Sequence, residues 1–568
     1  MAQISRRTYS ATIAQQLTDA GIAPLLSRIY AARGICDVTQ LNTSLKHLLP
    51  FTQLKNVQDM ACILADAISK KYKLMIVADY DADGATACAV GIRGLRSLGA
   101  KVDFLVPNRF EYGYGLTPEI VRLAAKSTPD ILITVDNGIA SVEGVAEANR
   151  LDIQVLITDH HLPGDTLPDA LCIVNPNQPG CHFPSKNLAG VGVMFYVLLA
   201  LRAEFRTRGA YENKAEPNLS DLLDLVALGT IADVVSLDDN NRILVQQGLQ
   251  RIRSMHACCG INALLKVAHK NHTRVSSYEL GFVVGPRLNA AGRLEDMSLG
   301  IACLTTDNAT EASSMAIQLD ALNKTRRNIE SDMQTAALAA LKNIQPTDSF
   351  SLALFDQTWH QGVIGILASR LKDLYHRPVI AFARSQNGEI KGSGRSIHGL
   401  HLRDALDLVS KRHPHLLQKF GGHAMAAGLS LREENFDVFK VAFEDAARSL
   451  LSPADLTRVI ETDGPLEPSE FSLSIAQGLD QQIWGQGFTQ PLFEGEFEVS
   501  SQHVVGEKHL KLKLKLTKSD LTCDAVQFFC TDPMPKRISA TFNMVVNEYN
   551  KNVNLQLIIR QWTDLHQA

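Results

Sequence analysis

The chain has 568 residues, of which 45% are hydrophobic and 20% are charged, a composition typical of globular proteins with buried cores. Its net charge of -4 excludes a protein that is basic throughout, so any nucleic-acid binding must depend on locally concentrated positive charge. The ten cysteines form no C-x-x-C pair, which argues against zinc-ribbon and thioredoxin-type sites and favours a reducing compartment.

At roughly 100–200 residues per domain, the length predicts several domains. The N-terminal residues include Arg6 and Arg7 but no continuous apolar stretch, so a secretory signal is not expected. No segment approaches the roughly 18 apolar residues that a membrane-spanning helix needs. We therefore expect a cytoplasmic protein that does not associate with membranes.

Residues 1–70 are predicted to form an N-terminal helical segment, because apolar residues recur there at helical spacing. Residues 71–205 alternate short apolar runs with helical patterns, which predicts a parallel α/β sheet covered on both faces. Its strands are expected at 74–78, 102–106, 131–135, 155–158 and 171–174. Residues 206–308 are predicted to be a helical extension that completes the same lobe, with a turn rich in Gly, Asn and Arg at 285–292.

A connecting helix is predicted at 309–345. No glycine or proline interrupts this range, and Asn308 with Glu311 gives a capping-box pattern at its start. A helix of about 35 residues would span about 50 Å, which is long enough to connect two lobes.

Residues 346–455 are predicted to form a second α/β domain, in which strands are expected at 351–355 and 379–383. The same domain contains the glycine-rich segments 391–396 and 420–428, and residues 393–396 of the first are predicted to form a turn. Alternating and β-branched residues in 456–568 predict a small β-barrel at the C-terminus.

Three predicted strands of the first sheet end in acidic or imidazole residues. They are followed by Asp79-Tyr80-Asp81-Ala82-Asp83-Gly84, by Asp136-Asn137-Gly138 and by Asp159-His160-His161. In an open parallel sheet, ligands gather beyond the carboxyl ends of the strands, so these clusters should converge. Carboxylates that lie so close repel one another unless a divalent cation is bound. Oxygen ligands with some imidazole favour Mn²⁺ or Mg²⁺, and two such ions can activate water and stabilise the leaving oxygen of a phosphoester.

Each cluster alone has a plainer interpretation. The D-x-D-x-D-G string resembles the start of a calcium loop, although Val90 occupies the position of the required glutamate. Asp136-Asn137-Gly138 could be only a turn, and the His pair could precede a helix cap. Asp233 lies in an apolar segment and could be either a metal ligand or a cap. Together, at successive strand ends, the clusters favour a metal centre.

These strings, in their order along the chain, resemble the motifs of the DHH phosphoesterase superfamily, which is named for the triplet at 159–161. Within this superfamily they resemble the motifs of the RecJ family. The resemblance covers nearly the whole chain from about residue 50. The matching strings are Asp79–Gly84, Pro107–Arg109 with Gly113–Gly115, Asp136–Gly138, Asp159–His161, Ala232–Asp233, Arg287–Arg293 and Gly421–His423. The implied fold is a parallel-sheet DHH domain and a second α/β DHH-associated domain, joined by a long helix and followed by a C-terminal OB-fold barrel.

The resemblance implies a single-stranded-DNA-specific exonuclease that acts 5′ to 3′ and releases 5′-mononucleotides in DNA recombination and repair. Water activated by two ions, Mn²⁺ or Mg²⁺, would attack the phosphorus in line. The implied ligands are Asp81, Asp83, Asp136, His160 and Asp233, with Asp79 as a further ligand. Asp159 and His161 are implied as catalytic residues, as further ligands or as supports for the ligands, and His161 would stabilise the transition state or protonate the leaving oxygen. The implied partners are single-stranded DNA, a single-strand-binding protein and a RecQ-type helicase, with the enzyme acting as a monomer.

Residues that could contact DNA phosphates are found at several places along the chain. They are Arg109 after a predicted strand, Arg287 and Asn289 in the turn at 285–292 with Arg293 directly after it, Ser393 and Arg395 in the turn at 393–396, and Gly422 and His423. The alternative is that the glycines only form tight turns. By the resemblance, a 5′-phosphate would be bound by Arg109, Arg370 and Arg395.

The C-terminal region contains a strand in which leucines and lysines alternate, so that Lys511, Lys513 and Lys515 share one face. This face could track a nucleic-acid backbone, or it could be the solvated face of an ordinary strand. Phe528 and Phe529 could stack on bases or pack in the core.

Two other functions remain open from the residues. One is a DHH phosphodiesterase for small substrates such as dinucleotides, although the predicted lysine strand is not needed for these. The other is a binding protein with an inactive site, although all the motif carboxylates and histidines are present. The polarity of digestion is inferred from the resemblance alone.

Overall fold

The computed structural model describes residues 3–106, 115–341, 348–385, 388–549 and 552–565. These residues divide into two compact units. The large unit consists of residues 6–320 and 461–568, and the small unit consists of residues up to 5 and 321–460. No helix in the described ranges is both long enough and apolar enough to cross a membrane.

After a short strand β1 (Gln3–Arg6), the large unit contains a five-stranded parallel sheet. Its strands are β2 (Lys73–Ala78), β3 (Lys101–Leu105), β4 (Ile131–Val135), β5 (Gln154–Thr158) and β6 (Cys172–Val174). They lie in the order β3-β2-β4-β5-β6, and all neighbours are parallel. The predicted parallel α/β sheet is therefore confirmed.

Helices cover both faces of this sheet and form the extension that follows it. They are α1 (Ala11–Asp19), α2 (Pro24–Ala31), α3 (Val57–Ser69), α4 (Ala82–Ser97), α5 (Pro118–Ala125), α6 (Val142–Arg150), α7 (Gly190–Thr207), α8 (Leu223–Ala232), α9 (Asp239–Arg253), α10 (Cys259–Val267), α11 (Ser277–Glu279), α12 (Gly285–Leu294) and α13 (Ser298–Thr305). A π-helical turn, Leu280–Val284, joins α11 to α12. On one face of the sheet, side chains of β2, β4 and β5 share a buried core with α5 and α6. All five residues of β4 are buried, as expected for a strand covered on both sides.

The turn predicted at 285–292 is wrong, because these residues lie in α12. Glycine and asparagine favour turns by local propensity, but here tertiary packing decides the conformation. A Cβ atom on Gly292 would lie 1.9 Å from the carbonyl oxygen of Tyr80. The glycine therefore allows α12 to pack directly on the loop that follows β2.

The predicted connecting helix is confirmed as α14 (Ala309–Leu341), and its last predicted residues, 342–345, lie outside the described ranges. The side-chain oxygen of Asn308 accepts hydrogen bonds from the backbone amides of Thr310 and Glu311. The Asn308 amide in turn donates to the Glu311 carboxylate at 3.2 Å. The boundary between the two units falls within this helix, after Asp320.

The small unit contains a five-stranded mixed sheet. Its strands are β7 (Leu352–Phe355), β8 (Val379–Arg384), β9 (Glu389–Arg395), β10 (Lys419–Gly422) and β11 (Ala426–Arg432), and its helices are α15 (Ile364–Tyr375), α16 (Leu402–Arg412) and α17 (Phe436–Leu450). The strand order is β10-β11-β9-β8-β7, and only β7 and β8 are parallel.

Both strands predicted for this domain are present, but the turn predicted at 393–396 is wrong. Residues 391–395 belong to β9, and residues 420–428 form most of a hairpin between β10 and β11. The glycines of β9 lie against bulky neighbours. A Cβ atom on Gly392 would lie 2.6 Å from the Phe382 ring. Gly392 is thus a strand residue whose missing side chain leaves room for the Phe382 ring.

The C-terminal residues form the predicted barrel, which follows β12 (Val459–Thr462) and α18 (Leu473–Asp480). Its strands are β13 (Phe493–Val505), β14 (His509–Leu516), β15 (Thr522–Gln527), β16 (Arg537–Tyr549) and β17 (Asn552–Asp564), closed in the order β13-β14-β15-β17-β16. Strand β16 was missed, although Ile538, Ala540, Phe542 and Met544 alternate with polar residues and are buried.

Candidate metal centre

The register of the parallel sheet places three aspartates side by side. The last residues of β2, β4 and β5 pair with one another, and Asp79, Asp136 and Asp159 follow them directly. The backbone amide of each aspartate donates to a carbonyl of the adjoining strand, at 3.1–3.3 Å. The same backbone hydrogen bond thus holds the start of each motif at the carboxyl edge of the sheet.

The first motif continues into α4. Asp81 is the N-cap of this helix, and its side chain accepts the Gly84 amide at 2.9 Å. Asp83 lies in the first turn and is 1% exposed. Its carboxylate accepts two amides at the start of α7, from Gly190 at 2.6 Å and from Val191 at 3.0 Å. Because the helix begins at Ala82, the calcium-loop interpretation is wrong.

The second motif turns sharply at the end of β4. Asp136 has a left-handed backbone with φ 62°, a conformation that residues other than glycine rarely adopt. The Asn137 side-chain amide donates to the carbonyls of Val77 and Val135, at 3.1 and 2.9 Å. These bonds tie the turn to two strands, a role for Asn137 that the sequence did not reveal.

The third motif brings the His pair to the same edge. His160 Nε2 lies 3.1 Å from Asp136 Oδ1 and 3.5 Å from Asp233 Oδ2. Asp233 follows the last residue of α8. His161 Nδ1 lies 2.7 Å from Asp159 Oδ1, and this same oxygen also accepts the backbone amides of both histidines.

Two asparagines after β6 fix the backbone of the His pair, and sequence reasoning missed both. The Asn175 amide donates to the His161 carbonyl at 2.9 Å, and the Asn177 amide donates to the His160 carbonyl at 2.6 Å. The only local signal is the Asn-Pro-Asn string that ends the strand. Hydrogen-bonded supports of this kind orient metal ligands.

The predicted convergence of the motifs is confirmed. Three groups of side chains each have their potential ligand atoms within 4.8 Å of one another: Asp136 with His160 and His161, Asp83 with His160 and Asp233, and Asp79 with Asp81 and Asp136. Asp159 is in none of these groups. Its carboxylate is occupied by hydrogen bonds to both histidines and to the Ile139 amide.

The carboxylates at this edge are hard to keep charged without a cation. Burial, and then the charge of Asp81, raises the pKa of Asp83 to about 7. Burial and then the charge of Asp83 raise the pKa values of Asp136 and Asp233 well above the ordinary value. Within the described residues, buried Asp136 Oδ1, Asp233 Oδ2 and His160 Nε2 have no hydrogen-bond partner. Unpartnered oxygen and imidazole atoms that face one another fit Mn²⁺ or Mg²⁺.

The two histidines have opposite proton affinities. Burial, together with the charge of His161, lowers the pKa of His160 to about 4, so its ring is neutral and offers a lone pair. Burial alone would lower the pKa of His161, but the hydrogen bond and charge of Asp159 raise it to about 9. Of the pair, His161 is therefore the one protonated at neutral pH.

Helix α12 supports the first motif, and this changes the interpretation of two predicted DNA contacts. Asn289 Oδ1 accepts the Ala82 amide at 2.9 Å, at the start of α4. The buried Arg287 forms an ion pair with Asp320, at 2.8 Å, and donates to the Val283 carbonyl. The structure argues against Arg287 as a phosphate ligand, because its guanidinium is committed to this internal pair. Arg293 is half-buried near the end of the same helix.

In the small unit, several predicted phosphate contacts lie close together. Ser393 and Arg395 are near the end of β9, and a Cβ atom on Gly365, in the first turn of α15, would lie 2.9 Å from Ser393 Oγ and 3.2 Å from Arg395 Nη2. Arg395 pairs in register with Ala426 of the neighbouring hairpin, whose other strand ends at Gly422, just before His423. Gly422 has a φ of 141°, and a Cβ atom there would lie 2.4 Å from a backbone oxygen.

Two further arginines complete the predicted phosphate contacts. Arg370 forms an ion pair with Glu330 at 2.9 Å, although its side chain is more than half exposed. Arg109 and the strings Pro107–Arg109 and Gly113–Tyr114 lie outside the described residues. The first arginine is therefore already partnered, and the second stays a prediction.

On the barrel, the lysines of β14 share one face as predicted. Lys511 and Lys513 are exposed, whereas Lys515 is half-buried and forms an ion pair with Asp520 at 2.7 Å. Phe528 is 46% exposed and Phe529 is 84% exposed, so the core-packing interpretation of this pair is wrong.

Comparison with known protein families divides the chain into three matching regions. Residues 73–230 match the N-terminal domain of the DHH family, residues 348–449 match the DHHA1 domain, and residues 462–561 match the RecJ OB domain. These regions include the parallel sheet, the mixed sheet and the barrel.

The chain is also similar to individual proteins over almost its whole length. The single-stranded-DNA-specific exonuclease RecJ of Salmonella typhimurium is 48% identical over 552 residues, which cover 95% of this chain and 96% of the relative. A crystal structure of RecJ from Thermus thermophilus in complex with Mn²⁺ has a TM-score of 0.83 and 28% identity, covering 99% of this chain and 79% of that one. A structure of the same protein with Mg²⁺ has a TM-score of 0.77 and 26% identity, covering 99% and 78%. The chain belongs to the RecJ family of the DHH phosphoesterases.

Proposed function

We propose that the chain is a metal-dependent exonuclease specific for single-stranded DNA, which digests from the 5′ end and releases 5′-mononucleotides in recombination and repair. The observation that carries the proposal is the convergence of the DHH motif side chains at one sheet edge, in a member of the RecJ family. The relative from Salmonella typhimurium is a single-stranded-DNA-specific exonuclease. The polarity and the product follow from the family resemblance.

The residues proposed to hold two divalent ions are Asp79, Asp81, Asp83, Asp136, His160 and Asp233, each of which belongs to a group of converging ligand atoms. When bound, the ions would supply activated water and stabilise the charge on the reacting phosphate. The chain's own contribution is rigidity, because backbone amides and asparagine side chains fix the motifs at the strand ends. Preorganised ligands bind and orient the ions without rearrangement.

His161 is proposed to act on the reacting phosphate, supported by Asp159. Its Nδ1 is bound to Asp159 at 2.7 Å, which fixes the orientation of the ring at the sheet edge. Because the pKa of His161 is about 9, the ring carries a proton at neutral pH. A protonated imidazole can stabilise negative charge on the transition state or donate its proton to the leaving 3′-oxygen. Asp159 is thus a positioning residue that also holds the proton on His161.

The DNA phosphates are proposed to contact Arg109, Arg293, Ser393, Arg395, Gly422 and His423, with Lys511 and Lys513 on the barrel. Bare amides near glycines and arginine guanidinium groups are common phosphate ligands. Asn289 and Arg287 are assigned instead to the support of the first motif, since their side chains are bonded within the large unit. Arg370 and Lys515 could join only by exchanging their carboxylate partners for phosphate.

The function is tested by digesting 5′- and 3′-end-labelled single- and double-stranded DNA with Mn²⁺, with Mg²⁺ and with a chelator. We expect mononucleotides from single strands only, with loss of the 5′ label first, and no product with the chelator. A dinucleotide assayed in parallel distinguishes the small-substrate phosphodiesterase, which would hydrolyse it faster than a long strand. A folded sample that binds single strands but cuts none would identify the inactive binding protein.

We further propose that the enzyme acts as a cytoplasmic monomer beside a single-strand-binding protein and a RecQ-type helicase. An enzyme that accepts only unpaired DNA needs its substrate separated from duplex, and it shares that substrate with any protein that coats single strands. Light scattering after gel filtration should give the monomer mass of 62.2 kDa. Digestion of a blunt duplex should begin only when a helicase is added, and a helicase without effect would contradict this part of the proposal.

A further inference from the structure

Two aromatic rings are exposed together outside the barrel, on the helical extension that follows the parallel sheet. Tyr278 of α11 is 58% exposed, and Phe282 of the π-helical turn is 66% exposed. Their ring centroids lie 5.0 Å apart and the ring planes differ by 27°, so the rings stack on each other. We call these two residues the aromatic pair. Rings that stay in solvent add little to the burial that stabilises the fold, so their placement needs another reason.

The π-helical turn packs on the last turn of α8, the helix that leads to the proposed metal ligand Asp233. A Cβ atom on Gly281 would lie 3.1 Å from Ile231 Cγ2. A Cβ atom on Gly285 would lie 3.3 Å from Ala232 Cβ. Asp233 follows Ala232 directly in the chain. The aromatic pair is therefore displayed beside the metal centre.

The backbone beneath the aromatic pair is fixed by hydrogen bonds. The Ser276 hydroxyl accepts the Tyr278 amide at 3.2 Å, and the Glu279 carboxylate accepts the Ser276 amide at 3.0 Å. The Ser277 hydroxyl donates to the Trp484 carbonyl at 2.5 Å, in the segment that precedes the barrel. A π-helical turn is rare in proteins and is frequent at functional sites. The two rings thus stand on a rigid and irregular backbone that is typical of a binding site.

The aromatic pair also adjoins the barrel. Arg274, which precedes α11, forms an ion pair with Glu548 of β16. Tyr278 lies within electrostatic reach of Arg560 of β17, because burial lowers the pKa of Arg560 and the Tyr278 phenol acts against this shift. The segment that carries the pair therefore contacts the helix of the metal centre on one side and the barrel on the other.

The charges around the aromatic pair nearly balance one another. Arg274 is paired with Glu548, and Lys270 is paired with Glu279 at 3.5 Å. Further charged groups on the adjoining elements are Arg253, Asp480 and Arg560. A ligand that covers the rings would therefore be held by flat apolar contact rather than by net positive charge.

We propose that the aromatic pair is a stacking subsite beside the metal centre for one unpaired base, on the 3′ side of the bond that is cut. The base stacks on the exposed face of Phe282, and Tyr278 supports this ring from behind. An unpaired base can turn onto an aromatic ring, whereas a paired base cannot do so without breaking its pair. The subsite thus favours unpaired strands. This inference rests on the proposed function, since an enzyme that removes the 5′ nucleotide must hold the strand on the 3′ side.

The test measures kcat/KM for release of the 5′ nucleotide in Mn²⁺, from a series of 5′-phosphorylated single strands. Each strand carries one abasic spacer, in place of a different one of about ten nucleosides nearest the 5′ end. Phe282→Ala should lower kcat/KM for the intact strand by about tenfold, because one stacked base is lost. At one position of the series, the spacer should lower kcat/KM of the wild type by about the same factor and leave that of Phe282→Ala unchanged.

Three further comparisons separate stacking from other effects. Phe282→Trp keeps a flat ring and should match the wild type, whereas Phe282→Leu keeps only an apolar side chain and should match Phe282→Ala. Tyr9→Ala is the matched control, because it removes a ring that is 44% exposed on the N-terminal segment, and it should cut every strand as the wild type does. The loss in Phe282→Ala should be equal at low and high salt, since the surrounding charges balance.

Two results would overturn the subsite. One is a Phe282→Ala variant that cuts the intact strand as fast as the wild type does. The other is a loss in Phe282→Ala that multiplies with the spacer effect at every position of the series. A wild type that releases no nucleotide from any strand would instead overturn the proposed function. Melting temperatures of the Phe282 variants should lie near that of the wild type, because the ring is largely exposed, so a lower rate reports substrate contact rather than unfolding.

Discussion

The sheet edge and the barrel surface of the large unit differ in how far their functional side chains are exposed to solvent. At the sheet edge, Asp83 and Asp136 are each 1% exposed, and the Asp83 carboxylate accepts two amides from the distant start of α7. On the barrel, Lys511 and Phe529 are exposed, and the Phe529 amide donates to His509 Nδ1 of the neighbouring strand β14. A site that must fix cations needs buried and preorganised ligands, whereas a surface that follows a flexible strand needs accessible groups in a row. Substitutions should therefore affect catalysis at the first region and strand affinity at the second.

The largest effect is expected at Asp136, which belongs to two of the three ligand groups. Asp136→Asn should lower turnover of single-stranded DNA by about a thousandfold or more, the scale of loss when a catalytic group is removed. The same change should stabilise the metal-free protein, because it removes one of several mutually repelling carboxylates. Turnover and thermal melting in chelator measure the two effects.

Asp224→Asn is the matched control for Asp136→Asn. Asp224 is also fully buried in the large unit, where it accepts the Cys258 amide at 2.7 Å, and it belongs to none of the ligand groups. Its variant should keep turnover per folded molecule near the wild-type value. Equal losses in the two variants would show that Asp136 acts through general stability rather than through a metal site.

A smaller loss is expected when the support of His161 is removed. Asp159→Asn keeps the size of the side chain but removes the charge that holds a proton on His161. We expect kcat to fall by about a hundredfold or more, with the pKa of the alkaline limb of the pH–rate profile moving down. Mn²⁺ affinity should change far less than kcat. An unchanged pH profile would contradict the role given to this pair.

Asn289 should affect metal binding although it lies 207 residues from Ala82, whose amide it accepts at the start of α4. Asn289→Ala removes the acceptor of the Ala82 amide and should weaken Mn²⁺ binding by about tenfold, as is usual for groups that orient metal ligands. Asn262→Ala, which removes a half-buried asparagine bonded to the Ala257 carbonyl, is the matched control and should bind Mn²⁺ normally. Calorimetric titration measures both. If the two variants bind equally well, α12 does not support the centre.

The smallest effect is a pH dependence of the metal-free protein. The folded-state pKa values of Asp83 and His161, about 7 and about 9, exceed their ordinary values of 3.8 and 6.5. The folded state therefore holds protons that the unfolded chain releases, and stability falls as the pH rises from about 6.5 to about 9. His160, with a folded-state pKa of about 4, opposes this only at the lower end of the range, where the unfolded chain still binds part of its proton.

Melting temperatures in chelator should accordingly drop by several degrees across that range, and Mn²⁺ should restore stability by replacing the protons. His161→Gln should flatten much of the dependence. A melting temperature of the metal-free wild type that is constant or rises over the range would contradict the arrangement of charges.

The first sheet and its aspartates could be predicted because their signals are local. Apolar runs such as 131–135 end in Asp136, and parallel topology brings such ends together whatever the intervening sequence. The long α14 and the barrel strand β14 were also evident from periodicity and from the absence of helix breakers.

The supports of the site could not be predicted, because they depend on contacts between distant segments. Asn289 binds an amide 207 residues away, and its Gly- and Asn-containing segment resembles a turn until α12 is seen packed on Tyr80. Arg287 looked suitable for phosphate, but its partner Asp320 lies on another helix. Exposure is equally non-local, so the outward display of Phe529 could not be distinguished from core packing in the sequence.

The most direct test of the metal centre is a count of bound ions. Mn²⁺ titrated into chelator-stripped protein, followed by electron paramagnetic resonance, should show two ions per chain for the wild type, and tight binding should be lost in Asp136→Asn. A wild-type chain that takes up no Mn²⁺, or an Asp136→Asn chain that binds it as tightly as the wild type, would contradict the assignment of this sheet edge as the catalytic centre.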